Sequence, residues 1–175
     1  MAIFFTADTH FGHDAIRKHC DRPFDSVQDM DRALIANWNS RVSPRDTVYH
    51  LGDFAFKGNS RLNDYVSKLN GTIHLVKGNH DPDGDEVLSQ LFASVSELCS
   101  IKIDGERIVL CHYAMRTWDR SHHGSWHLYG HSHGTLEEDM KSLSFDVGVD
   151  CHNYFPVSFE EVKNYLRVKS DLANN

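Results

Sequence analysis

Five short stretches of the chain carry side chains suited to binding divalent cations: Asp8-Thr-His10, Gly52-Asp53, Gly78-Asn79-His80-Asp81, His112 and Gly130-His131-Ser132-His133. Carboxylate, imidazole and amide oxygen without thiolate suit Mn, Fe, Zn, Ni or Co. The set Asp8, His10, Asp53, Asn79, His112, His131 and His133 is too large for one ion, so two divalent transition-metal ions are implied. A metal pair, usually bridged by one carboxylate, stabilises the attacking and leaving oxygens of an in-line displacement at phosphorus. Residues two apart on an extended backbone share a face, so Asp8 with His10, and His131 with His133, are expected to point the same way. The chain holds 13 histidines in 175 residues, which again directs attention to metal and proton chemistry.

Each stretch follows an apolar, β-branched or aromatic run that reads as a strand: residues 3–7, 47–51, 72–76, 107–111 and 127–129. Runs at 101–103 and 144–149 add two more, and Asp104-Gly105 reads as a tight hairpin turn. Helical periodicity appears at Met30, Leu34, Trp38 and again at Leu62, Tyr65, Val66, Leu69, ending at Asn70-Gly71. Ser158-Phe-Glu-Glu161 has the form of a capping box opening a final amphipathic helix. This alternation predicts an α/β domain, a layered β-sandwich flanked by helices, spanning residues 1–168, with 169–175 a polar, fraying tail. In such folds, loops at the carboxyl ends of strands converge on one face, which would gather the seven residues into one cluster. Glycines before Asp53, Asn79 and His131 permit close backbone approach.

The ordered series D-x-H, G-D, G-N-H-D, H and G-H-x-H, from Asp8 to His133, resembles the calcineurin-like metallophosphoesterase superfamily. Within it, the chain is most similar to small bacterial and phage-type phosphoesterases that open D-x-H-F-G-H, here Asp8-Thr-His-Phe-Gly-His13. It departs from the protein Ser/Thr phosphatases, which read G-D-x-x-D-R-G and G-N-H-E, and it lacks the length for the capping domain of the DNA-repair nucleases. The resemblance implies that Asp8, His10, Asp53 and His133 bind one ion. Asp53, Asn79, His112 and His131 would bind the other, with Asp53 the bridge. It also implies that His80 is the residue over the phosphate, donating a proton or stabilising charge, with Asp81 orienting its imidazole. The nucleophile would be a metal-bridging hydroxide, because bound metals lower the pKa of water from about 15.7 towards about 7.

Basic and aromatic residues near these motifs are expected to contact substrate. His13 either reaches a phosphate oxygen or caps the helix after it, and Arg17, Arg22 and Arg116 are candidates for recognising further oxygens. Trp118 and Trp126, within residues 115–126, could stack a nucleobase or pack on the scaffold. His50 and His152 are the histidines most suited to support ligands from behind. A net charge of −7 argues against a long nucleic acid and favours a small phosphate ester, a nucleotide among the candidates. The four cysteines form no C-x-x-C pair, no run reaches the roughly 18–20 apolar residues of a membrane span, and the apolar opening run without a basic region leads us to expect no secretory signal. These features point to a cytoplasmic enzyme without a membrane partner. Diesters rank ahead of monoesters and Mn ahead of the other metals. The alternatives are a phosphomonoesterase and a non-catalytic scaffold of the same fold, as in the retromer coat.

Overall fold

The computed structural model describes residues 1–56 and 61–173. In the first sheet β1 (Ile3–Thr6), β2 (Thr47–His50), β3 (Thr72–Val76) and β4 (Ser94–Ser96) run parallel, and β9 (Val157–Ser158) lies antiparallel to β1. The second sheet is ordered β5 (Leu98–Ile103), β6 (Glu106–Cys111), β7 (Trp126–Tyr129) and β8 (Ser144–Asp146). Strands β5 and β6 form the expected hairpin, with Asp104 and Gly105 at φ 49° and 89°, whereas β6, β7 and β8 are parallel. Strands β4 and β9 escaped the sequence reading because a Ser-Val-Ser triplet and a two-residue bridge carry no periodicity.

Alternation along β1 separates two cores. Phe4 faces one with Val48, Ile73 and Leu75, and Phe5 faces the other with Ile108, Leu110 and Leu128, between the sheets. Helix α2 (Val27–Arg41), capped by Ser26 Oγ accepting from Asp29 N, sends Met30, Leu34 and Trp38 into the first core. Each contributes about 1.5–3 kcal/mol by burial, which outweighs the weak helix propensity of Asn37, Asn39 and Ser40, less than about 1 kcal/mol each. Shorter helices α1 (Asp14–His19), α3 (Leu62–Val66) and α4 (Asp85–Leu91) fill the loops of this half. Residues 113–125 lie over the outer face of the second sheet. There Trp118 packs on His127 with centroids 5.2 Å apart, and His127 Nε2 accepts from Met115 N.

Helix α5 (Phe159–Ala173) opens at the expected capping box, with Ser158 N donating to Glu161 Oε2 and Glu161 N to Ser158 Oγ. Its Phe159, Val162 and Leu166 close the inter-sheet core. The expectation of a fraying tail from residue 169 is corrected: the helix continues to Ala173. Lys169 is buried, its ammonium bonded to Glu138 Oε1 and Ser144 O, so a polar side chain anchors this end. Residues 174 and 175 lie outside the described residues. No described helix is long and apolar enough to cross a membrane.

Candidate metal centre

The carboxyl ends of β1, β2 and β3 in one sheet and of β6 and β7 in the other open onto the same place. Backbone pairing persists beyond the strands, with Asp8 N donating to Gly52 O and His10 N to Asp53 O, so these loops stay in register. Two groups of ligand atoms result, each gathered within 4.8 Å: Asp8, His10 and His133, and Asp53, His112 and His131. Between them, Asp53 Oδ2 stands 3.5 Å from His10 Nε2 and 3.5 Å from His112 Nε2. Asn79 joins the second group, its Oδ1 3.3 Å from His112 Nε2.

Hydrogen bonds fix which nitrogens face inward. His112 Nδ1 donates to Leu51 O at 2.7 Å and His133 Nδ1 to Asp150 Oδ2 at 2.7 Å, so each Nε2 presents a lone pair. Asp8 Oδ2 accepts from His131 N, yet Asp8 Oδ1 and His10 Nε2 are buried with no hydrogen-bond partner. Orphaned acceptors of this kind are costly. Burial, then the charges of Asp53 and Asp146, push the Asp8 carboxyl well above its ordinary range. Burial, then the charge of His133, holds His10 far below an ordinary histidine, and burial lowers His112 as well. A buried carboxyl that resists ionisation without a nearby cation, neutral imidazoles and unpaired lone pairs converging on two points fit divalent cations.

The local backbone differs from the expected extended alternation. Asp8, His10, Asp53, His131 and His133 all adopt φ between 47° and 67°. Left-handed conformation costs non-glycine residues about 1–3 kcal/mol and collects at functional sites. It turns His131 and His133 apart, one to each group, rather than together. Close approach is tightest at Gly78, where a Cβ would fall 2.3 Å from Asp53 Oδ1.

The profile of the Calcineurin-like phosphoesterase superfamily domain matches residues 1–149. The chain belongs to this superfamily. It is 34% identical over 165 residues to Uncharacterized protein MJ1445 of Methanocaldococcus jannaschii, covering 90% of this chain and 87% of that one. Among solved structures, the protein of unknown function AQ665 from Aquifex aeolicus superposes with a TM-score of 0.73 at 25% identity, over 94% of this chain and 98% of its own. A novel archaeal phosphodiesterase shares the fold, with a TM-score of 0.54 at 23% identity over 85% and 84% of the two chains.

Around this phosphoesterase site, several side chains are used differently from expectation. Asp81 does not orient the His80 ring. Its carboxylate accepts from the backbone N–H groups of Gly78, Asp53 and Phe54, stitching two ligand loops together, because buried donors there need an acceptor. Arg22 is buried in a bidentate pair with Asp150 and donates to Asp8 O and Thr9 O. It supports the ligand loop from behind and is withdrawn from substrate. Arg17 is engaged by Asp14 and Phe24 O. Arg116 lines a separate cavity with Trp118 and His122, none of whose lining residues is one of the seven ligands. Trp118 and Trp126 are buried against His127 and Phe159, in the scaffold role.

His13 makes no helix cap bond; its Nδ1 lies 3.3 Å from His10 Nδ1 and its ring 5.7 Å from His80. His80 N donates to Asp53 Oδ1, and its ring meets His10 edge-on at 5.2 Å. Sequence reasoning missed Tyr113, which is 46% exposed and packs edge-on against His112 and His131. Its only signal was adjacency to His112. Asp150 was missed as well, because its position behind His133 had no local signal.

His152 donates to Asp146 O, and His50, fully buried between Trp38 and Phe54, bonds Thr9 Oγ1. Burial, then nearby His112, lowers His50 to about 3. It is therefore neutral in the fold, while the unfolded chain takes up a proton below about 6.5. Stability is full above that pH and falls as pH drops towards the folded value. Between pH 7 and 5, His50 should account for a loss of about 2 kcal/mol. Urea unfolding of wild type and His50→Phe at both pH values measures it; identical pH dependence would mean that His50 titrates normally in the fold.

Proposed function

We propose that the chain is a binuclear metal-dependent phosphoesterase that hydrolyses a small phosphate ester, diesters ahead of monoesters, with a nucleotide among the candidates. The observation that carries this reading is the Asp53 carboxylate, equidistant from an imidazole of each ligand group. Asp8, His10 and His133 would hold one ion and Asn79, His112 and His131 the other, with Asp53 shared and Mn the first choice. When bound, such ions lower the pKa of water towards neutrality and offset charge on phosphate oxygens.

The chain's own residues then orient and protonate. The bond from His80 N to Asp53 Oδ1 sets where the imidazole emerges, and His80 delivers a proton to the departing alkoxide. This acid is most useful for a diester, whose leaving group is poor, and the archaeal phosphodiesterase of the same fold supports that order. Asp150 and Arg22 hold His133, and Leu51 O holds His112. The four cysteines are free, in keeping with a cytoplasmic setting.

The test is metal quantification together with assay of a matched aryl phosphodiester and monoester, with and without chelator. Turnover that disappears with chelator supports the reading; two bound ions with turnover of neither ester counts against it and favours the scaffold. His80→Ala should lower turnover at least about a hundredfold while metal content stays near two. If that variant loses an ion instead, His80 is a ligand and not the acid.

A further inference from the structure

A cleft of about 790 Å³ opens beside the metal centre, within the size range of small-ligand sites. Much of its lining is apolar, with Phe56, Leu62, Val87 and Leu91 among the residues that border it. Phe56 is 47% exposed and Val87 59%, so two large apolar side chains border the cleft without cover. The inner end is continuous with the site. The Phe56 ring lies 4.7 Å from His13, which lies 5.2 Å from His10 and 5.7 Å from His80, and Asp81 contributes to the lining.

The charges of the lining restrict its occupant. Among the described lining residues, Asp81 is the only charged one, and three backbone N–H groups already engage its two oxygens. None of the described lining residues is a cation that would meet a second phosphate. Asn63 and Gln90 add uncharged amides, each able to donate and accept. An exposed aromatic ring, aliphatic side chains and uncharged amides in one cleft match a flat ring with a polar edge better than a chain or an anion.

We propose that this cleft binds an uncharged, planar aromatic substituent of the phosphate ester, an aryl ring or nucleobase, while the phosphate occupies the metal centre. The proposal rests on the hydrolase reading above. Ring stacking on Phe56 adds contacts available to no methyl or alkyl ester.

Phosphonates resist hydrolysis and report binding alone. Calorimetry on the metal-loaded protein should find phenylphosphonate bound about tenfold more tightly than methylphosphonate or butylphosphonate. Phe56→Leu and Val87→Gln should each reduce that preference severalfold and leave methylphosphonate affinity and metal content unchanged. Val87 is exposed, so its substitution should not disturb folding. Equal phenyl and methyl affinities, equal phenyl and butyl affinities, or a phenyl preference untouched by both variants would each overturn the aromatic assignment. Failure of the hydrolase reading has a different signature: no ester turned over by metal-loaded protein, with phenyl selectivity retained.

Discussion

Asp53→Asn should lower metal-dependent turnover about a thousandfold and leave fewer than two ions per chain. An asparagine can keep the bond from His80 N through its Oδ1, so the loop retains its shape. The oxygen that stands 3.5 Å from both His10 Nε2 and His112 Nε2 becomes an NH2 group, or the two ends exchange and the His80 bond is lost. In the first arrangement a donor faces two imidazole lone pairs and removes the negative charge between the groups, so a cation is disfavoured at both. Circular dichroism should match wild type, while elemental analysis and ester hydrolysis both fall. Full metal content with unchanged turnover would show that Asp53 is not shared.

Removing the guanidinium of Arg22 should have the largest effect on stability. Arg22→Met leaves the buried Asp150 carboxylate with His133 as its remaining side-chain partner among the described residues, and leaves the carbonyls of Asp8 and Thr9 without these donors. Breaking one side of a buried pair typically costs about 3–5 kcal/mol, and for a chain of this size that lowers Tm by about 10 °C. Arg22→Lys should recover little, because one ammonium cannot reproduce a bidentate fork plus two carbonyl bonds. Arg17→Met is the matched control: its partner Asp14 is largely exposed, so a loss under about 1 kcal/mol is expected. Burial alone would raise Asp150, yet the bonds from His133 and Arg22 hold its carboxyl below the ordinary range, so its contribution is present at neutral pH and lost in acid. Thermal unfolding of wild type and the three variants at pH 7 decides; equal melting of Arg22→Met and wild type would remove Arg22 from this role.

The strands that carry ligands were readable because each is a short apolar run ending in a polar residue of unusual type, as at Thr6-Ala7-Asp8 and Leu51-Gly52-Asp53. The helix around Met30, Leu34 and Trp38 was readable from its period. What could not be read is pairing across long separations. Arg22 and Asp150 are 128 positions apart, and a cation near a predicted site looks the same in sequence whether it faces substrate or supports a loop. The family resemblance implied an orienting role for Asp81, but the surplus backbone donors of two loops claimed it first. Lys169 looked like part of a tail because its ion-pair partner, Glu138, lies in another segment.

Each ligand group draws on both sheets: Asp8 and His10 with His133 in one, Asp53 and Asn79 with His112 and His131 in the other. An ion in either group would thus act as a rivet across the sandwich, adding to the apolar packing and the few hydrogen bonds, such as His131 N to Asp8 Oδ2 and His112 Nδ1 to Leu51 O, that already join its halves. Binding to the folded chain alone raises its stability by about 2.7 kcal/mol for each site held at a hundred times its dissociation constant. The melting temperature would then track the free metal concentration of the medium, and a titration followed by heat would register two rivets closing with no substrate in the tube.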